Sequence, residues 1–204
     1  MTRIKEMISA IVPAAGMSTR MGSQNKLLLP INGKTLIERT VDTLIGSNID
    51  ETIVVVGHQG ELVKAVLKGK DIVIVENPNY KEGMASSIRA GVAAATPGAG
   101  ALLICLADQP LLEPADLNRI TSAMVDAKAC GKSIVVPFFK GLRGNPVILD
   151  AIYRNAMIDV VGDIGCKKII KQHPDEVYAL EMETDHVVRD IDTIEEYRNL
   201  DGMA

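Results

Sequence analysis

The chain has 204 residues, 47% of them hydrophobic, and a formal net charge of −4. That length and apolar share suit one α/β domain, residues 1–204, with a buried core, and the mild acidity is unlike the broad basic field of a nucleic-acid binder. Three cysteines without a C-x-x-C pair argue against a disulfide framework and a zinc site, and 3% aromatic residues argue against a base-stacking platform for single strands.

The predicted elements begin with Ile8–Ala14, an apolar run that fits a buried strand, and Ile8–Ala15 is too short for a signal h-region with a cleavage site. No stretch is long enough to span a bilayer, so the chain reads as cytoplasmic, with no membrane partner. Apolar runs at Thr52–Gly57, Ile72–Glu76 and Ala101–Ala107 read as strands buried on both faces, because their apolar residues are continuous rather than alternating. Between them, Leu36–Ile45, Glu61–Leu67 and Met84–Ala95 carry apolar residues at helical spacing. Pro114–Ala129 reads as a helix with proline in its first turn. Ser133–Pro137 and Pro146–Leu149 follow as strands, then a loop and helix across Asp159–His173. Val177–Met182 and His186–Ile191 read as short strands, and Thr193–Leu200 as a closing helix. Strand–helix alternation predicts a mostly parallel sheet with helices on both sides.

The loop after the first strand runs Ala14-Ala15-Gly16-Met17-Ser18-Thr19-Arg20-Met21-Gly22, with Lys26 just beyond. In open α/β sheets ligands bind past the carboxyl ends of strands. Small residues there let backbone N–H groups reach phosphate oxygens, and Arg20 and Lys26 supply positive charge. A Rossmann G-x-G-x-x-G is absent from this turn. Gly33-Lys34-Thr35 has the ending of a Walker A loop, but Leu28 stands where that motif needs glycine. Asp108-Gln109-Pro110 closes the fourth apolar run. Its aspartate is either turn chemistry or a hard oxygen ligand facing the same crevice. Alternation along a strand would put Asp190 and Asp192 on one face, and Asp192 or Thr193 would cap the helix that follows.

The first-loop string resembles the A-A-G-x-x-x-R-M-G-x-x-K signature of the MobA-like nucleotidyltransferases, and among them is most similar to the molybdenum cofactor cytidylyltransferases. Asn25 stands where the family often has proline, and Pro13 where leucine is more usual. The resemblance implies a three-layer α/β/α, Rossmann-like sheet of the nucleotide-diphospho-sugar transferase type. It also implies a loop of Ala14, Ala15 and Gly16 wrapping a triphosphate neutralised by Arg20 and Lys26. Ala107-Asp108-Gln109-Pro110 resembles the G-D-Q-P metal motif, and Asp190 matches a second magnesium ligand, with Asp192 then the helix cap. Gly83–Gly91, where a serine would otherwise cap a helix, resembles the family's G-M-A-S-S-L-R-A-G string. Its Ser87-Ile88-Arg89-Ala90-Gly91 also resembles the S-V-x-A-G segment of the methylerythritol cytidylyltransferases, whose serine contacts cytosine; the resemblance places Gly83 and Ser87 at the nucleotide. Arg143-Gly144-Asn145-Pro146 resembles R-G-H-P and Gly162-Asp163-Ile164-Gly165 resembles G-D-x-G. Together these put Arg143, Gly144, Asn145 and Asp163 on the side of the partner substrate, with Asp163 equally placed to cap the next helix.

The implied reaction is transfer of CMP from CTP, with Mg2+, to molybdopterin-bound molybdenum, for a recipient molybdoenzyme. Two alternatives stand beside it. One is a cytidylyl- or uridylyltransferase for a sugar or polyol phosphate, and the other is a non-catalytic cofactor carrier or insertion chaperone.

Overall fold

The computed structural model describes residues 6–17, 25–160, 162, 165–191 and 193–201. Its strands are β1 (Ile8–Ala14), β2 (Pro30–Ile31), β3 (Lys34–Thr35), β4 (Glu51–Val56), β5 (Val73–Glu76), β6 (Ala101–Ile104), β7 (Ile134–Phe139), β8 (Leu142–Arg143), β9 (Val147–Asp150) and β10 (Val177–Glu181). Its helices are α1 (Leu36–Ile45), α2 (Gly60–Val66), α3 (Met84–Ala94), α4 (Pro114–Ala129), α5 (Arg154–Ile158), α6 (Lys167–Gln172) and α7 (Ile194–Asp201).

Eight strands form one sheet in the order β10-β7-β9-β6-β1-β4-β5, with β8 paired to β7. β4 and β6 both run parallel to β1, β5 is parallel to β4, and β10 is parallel to β7. β9 is antiparallel to both β6 and β7. Alternation along the strands builds two cores. Ala10, Val12, Val54 and Leu103 point to the side covered by Val41 of α1, Val63 of α2 and Ile120 of α4. Ile11, Ile53, Val55 and Leu102 point to the side covered by Ile88 of α3, Met157 of α5 and Ile169 of α6. The result is the three-layer α/β/α arrangement expected, with both faces of the central strands dry.

The chain passes from β1 to β4 and β5 on one side, then returns to place β6 on the other. The carboxyl ends of β1 and β6 therefore flank a topological switch point, where open α/β sheets open a crevice.

Several expectations are corrected. Ile72–Glu76 is not buried on both faces: β5 is an edge strand, with Val73 42% and Ile74 36% exposed. β6 ends at Ile104; Cys105 N still donates to the Ile11 carbonyl at 3.0 Å, and the chain then turns at residues 107–108. His186–Ile191 forms no strand. Asp185–Val188 is a 3-10 turn, and the backbone of this segment bonds to loops: the Val187 carbonyl accepts from Asn145 N at 2.9 Å, and Ile191 N donates to the Asp108 carbonyl at 2.9 Å. Asp190 and Asp192 thus share no strand face, and Asp192 lies outside the described residues. Thr193 caps α7, its hydroxyl accepting from Glu196 N at 3.2 Å while its own N–H donates to the Glu196 carboxylate at 2.8 Å. Gly33-Lys34-Thr35 belongs to a hairpin. Asn32 and Gly33 take φ of 51° and 78° between β2 and β3, and Thr35 forms a capping box with Glu38 at the start of α1.

Candidate active site

Two side chains meet at the switch point. Lys26 Nζ donates to Asp108 Oδ2 at 2.8 Å, across 82 residues of chain, with the side chains only 13% and 19% exposed. Lys26 opens a 3-10 turn, Lys26–Leu28, whose backbone is fixed: the Asn25 side chain accepts from Leu27 N at 3.1 Å, and Leu27 is buried. The turn carrying Asp108 is fixed by α1. Arg39 Nη2 donates to the Pro110 carbonyl at 3.2 Å, Thr40 Oγ1 to Ala107 at 3.4 Å and Thr43 Oγ1 to Leu112 at 3.3 Å. Among the described residues, one oxygen of Asp108, Oδ1, is buried and accepts no hydrogen bond. Such an atom costs free energy unless a donor or cation meets it.

The end of β1 is kept small. Ala14 and Ala15 are buried, and a Cβ on Gly57 at the end of β4 would come within 2.8 Å of the Ala15 Cβ. Ala15 and Gly57 together let the two loops close on each other. Among the described residues, a Cβ on Gly16 would meet nothing within 4 Å, so its backbone faces open space there. That space is a cleft of about 280 Å³ reaching from Gly16 to Gly83 and Ser87. Gly83 has φ of 95°, a left-handed value that favours glycine, and starts α3. Ser87 is buried, and its hydroxyl accepts from Asn77 Nδ2 at 3.1 Å, while Ser86 accepts from the same nitrogen at 2.8 Å. Asn77, which the sequence did not single out, joins the candidate site through the two serines. It sits alone in a turn, and only its bonds to Ser86, Ser87 and Asn79 N disclose its part.

A second cleft, about 320 Å³, holds Arg143, Gly144 and Asn145 with Asp190, Lys167 and Gln109. Gly144 is required by close approach: a Cβ there would lie 2.6 Å from the Val187 carbonyl oxygen. The same carbonyl accepts from Gln109 Nε2 at 2.7 Å, which ties the Asp108 turn to the Arg143 loop. Burial pushes the Arg143 guanidinium below its ordinary pKa, with Cys166 acting weakly the other way. The Cys166 thiol is buried and pushed up to about 12, so it is held as the neutral thiol rather than a nucleophile. His186 is engaged elsewhere, 2.8 Å from Asp116 Oδ2.

Of the residues the sequence singled out, Lys26 with Asp108, Gly16 with Gly83 and Ser87, and Arg143, Gly144 and Asn145 with Asp190 are brought together in these three groups. Arg20 and Asp163 lie outside the described residues. Among the described residues no cluster of three or more His, Cys, Asp or Glu forms a closed metal cage. The donors that fit a hard divalent cation are the free Asp108 Oδ1 and the exposed Asp190 carboxylate, whose neighbour Ile191 is bonded to the Asp108 backbone. No helix among the described residues is long and apolar enough to cross a membrane.

A three-layer α/β sheet with a lysine–aspartate pair and small-residue loops at its switch point defines a nucleotide-handling α/β enzyme. Residues 10–177 match the MobA-like NTP transferase domain, and the chain belongs to that family. It is a nucleotidyltransferase of the nucleotide-diphospho-sugar transferase fold. It is 30% identical to nicotine blue oxidoreductase of Paenarthrobacter nicotinovorans, over 95% of this chain and 96% of that one. It is 25% identical to molybdenum cofactor cytidylyltransferase of Escherichia coli K12, over 93% of each. The solved structure of Rv0371c from Mycobacterium tuberculosis superposes with a TM-score of 0.80 at 28% identity, covering 97% of this chain and 99% of that one. Rv0371c has also been solved in complex with manganese, TM-score 0.75 at 26% identity, covering 97% and 98%.

Proposed function

We propose that the chain transfers CMP from CTP to a molybdopterin-type acceptor, releasing pyrophosphate, in a site assembled on the Lys26–Asp108 pair. A phosphate oxygen of the acceptor attacks the α-phosphorus, the new P–O bond forms, and the bond to the β-phosphate breaks. The attacking oxygen is already anionic, so the site needs placement and positive charge more than a strong base. Mg2+, held by Asp108 and Asp190, supplies charge neutralisation on the phosphates when bound. Lys26 and Arg20 bind the triphosphate, and the backbone of Ala14, Ala15 and Gly16 lies against it. Ser87, steadied by Asn77, and Gly83 hold the base. Arg143, Gly144, Asn145 and Asp163 receive the acceptor.

The observation that carries this reading is the meeting of Lys26 and Asp108 at the switch point, where one Asp108 oxygen is left without a partner. The cytidylyltransferase relative supports cytosine and the molybdopterin-type acceptor. The test is pyrophosphate release with each of the four ribonucleoside triphosphates, with and without molybdopterin. Release with CTP that depends on molybdopterin is expected. Preference for GTP, or equal release without an acceptor, contradicts it.

The oxidoreductase relative, similar over nearly the whole chain, gives a second reading as a redox enzyme. The missing G-x-G-x-x-G at the first turn weighs against a dinucleotide there.

A further inference from the structure

We infer that Lys26 is a specificity-determining residue that locks Asp108 against free divalent cations, so that the site takes a cation only as its complex with the triphosphate. This rests on the proposed placement of a cation at Asp108.

The argument starts from what the pair can and cannot do at once. Lys26 Nζ lies 2.8 Å from Asp108 Oδ2 in a partly shielded place, with 13% and 19% side-chain exposure. An ammonium there lowers the negative potential at both carboxylate oxygens, including the unpartnered Oδ1. A cation arriving alone meets a carboxylate already neutralised by a positive charge a few ångströms away. A triphosphate changes the balance, because its oxygens offer Lys26 a stronger anionic partner than one carboxylate.

The local structure allows the exchange. The Lys26 backbone is anchored by the Asn25 cap and buried Leu27, while its four-carbon stem can swing the ammonium from carboxylate to phosphate. Asp108 has no such freedom, since α1 fixes the carbonyls of its turn and Ile191 N holds its own. Lysine therefore leaves and the carboxylate stays. Because coupling is reciprocal, triphosphate and cation each raise the affinity for the other by one common factor. The site then discriminates against a free cation and a free triphosphate, and favours the pair.

The test measures Mn2+ binding to the full chain by electron paramagnetic resonance, with and without a non-hydrolysable CTP analogue, with circular dichroism to confirm the fold of each variant. Removing the charge with Lys26→Met is expected to tighten binding of free Mn2+ roughly tenfold, near the low end of coupling for close charge pairs because this one is partly solvated. Lys26→Arg, which keeps the charge, is expected to bind free Mn2+ as weakly as the wild type. Lys26→Met combined with Asp108→Asn is expected to lose the gain. Unchanged or weaker Mn2+ binding in Lys26→Met, or equal tightening in Lys26→Arg, overturns the lock while leaving the cation at Asp108. Mn2+ binding that ignores Asp108→Asn in every arm overturns the placement of the cation, and the lock with it.

Discussion

Asp108 can be altered without unseating its turn because, the Lys26 pair apart, the bonds that hold the turn go to backbone carbonyls 107, 108, 110 and 112, and asparagine keeps an oxygen for Lys26. Asp108→Asn is therefore expected to keep the melting temperature within a few degrees and to lower pyrophosphate release by about a hundredfold or more, the scale of losing one electrostatic contact to the transition state. Circular dichroism melts and steady-state release measure the two together; full turnover in this variant removes Asp108 from the chemistry. Asn77 acts through others. Asn77→Ala leaves the buried Ser86 and Ser87 hydroxyls without their shared donor, and is expected to raise KM for the nucleotide several-fold with a smaller change in kcat. A change in kcat alone would argue against a role in placing the base.

At the scale of elements, α1 works as the clamp on the Asp108 turn, and the 185–191 segment works as the bridge between that turn and the Arg143 loop. Gly144→Ala tests the bridge. The added Cβ would meet the Val187 carbonyl oxygen at 2.6 Å, and backbone cannot yield as a flexible side chain does. The expected cost is about 1–3 kcal/mol in urea unfolding, the usual range for overpacking. Loss of acceptor-dependent turnover is expected even where the variant remains folded; a stability equal to wild type would contradict the packing at this contact.

The elements themselves were unevenly legible in the sequence. β1, β4 and β6 could be read because parallel strands buried on both faces must be continuous apolar runs. His186–Ile191 reads as another short strand, with β-branched Val187, Val188 and Ile191 among its six residues. Val187 is buried because its 3-10 turn packs against β7 and joins the first core, and apolar pattern does not say which neighbour will cover it. The short α5 spans little more than one helical turn in its five residues, so its apolar Met157 and Ile158 establish no repeating pattern. Lys26 and Asp108 were legible as motif members lying after strands. Their bond to each other is a property of strand order, which brings β1 beside β6.

Across the whole molecule the two ends of the sheet do different work. At the amino ends, Glu51 of β4 joins three segments: its carboxylate accepts from Ser9 Oγ of β1, and from Thr96 N and Oγ1 at 3.0 Å beyond α3. Burial pushes its pKa up, but the bonds from Ser9 and Thr96 outweigh that and hold it below the ordinary value of 4.5. A depressed carboxylate contributes stability that is present above its unfolded pKa and is lost as pH falls through the folded one. Glu51→Gln is expected to cost about 1–2 kcal/mol at pH 7. Between the unfolded pKa near 4.5 and more acidic pH, the variant should lose less stability than the wild type. Urea unfolding at pH 7 and pH 3.5 decides it: a variant that loses as much on acidification as the wild type would show the carboxylate charge to be idle.

At the carboxyl ends, the loops after β1 and β6 close on one charged pair, and that position is what the functional reading needs. Paramagnetic broadening of backbone amides by Mn2+ with a non-hydrolysable CTP analogue reports it directly. The expected result is selective loss of signal at Ala15, Gly16, Gln109 and Ile191, with Glu51 and Asp150 at the opposite end unaffected. Broadening centred on the amino ends, or spread evenly over the chain, would contradict it.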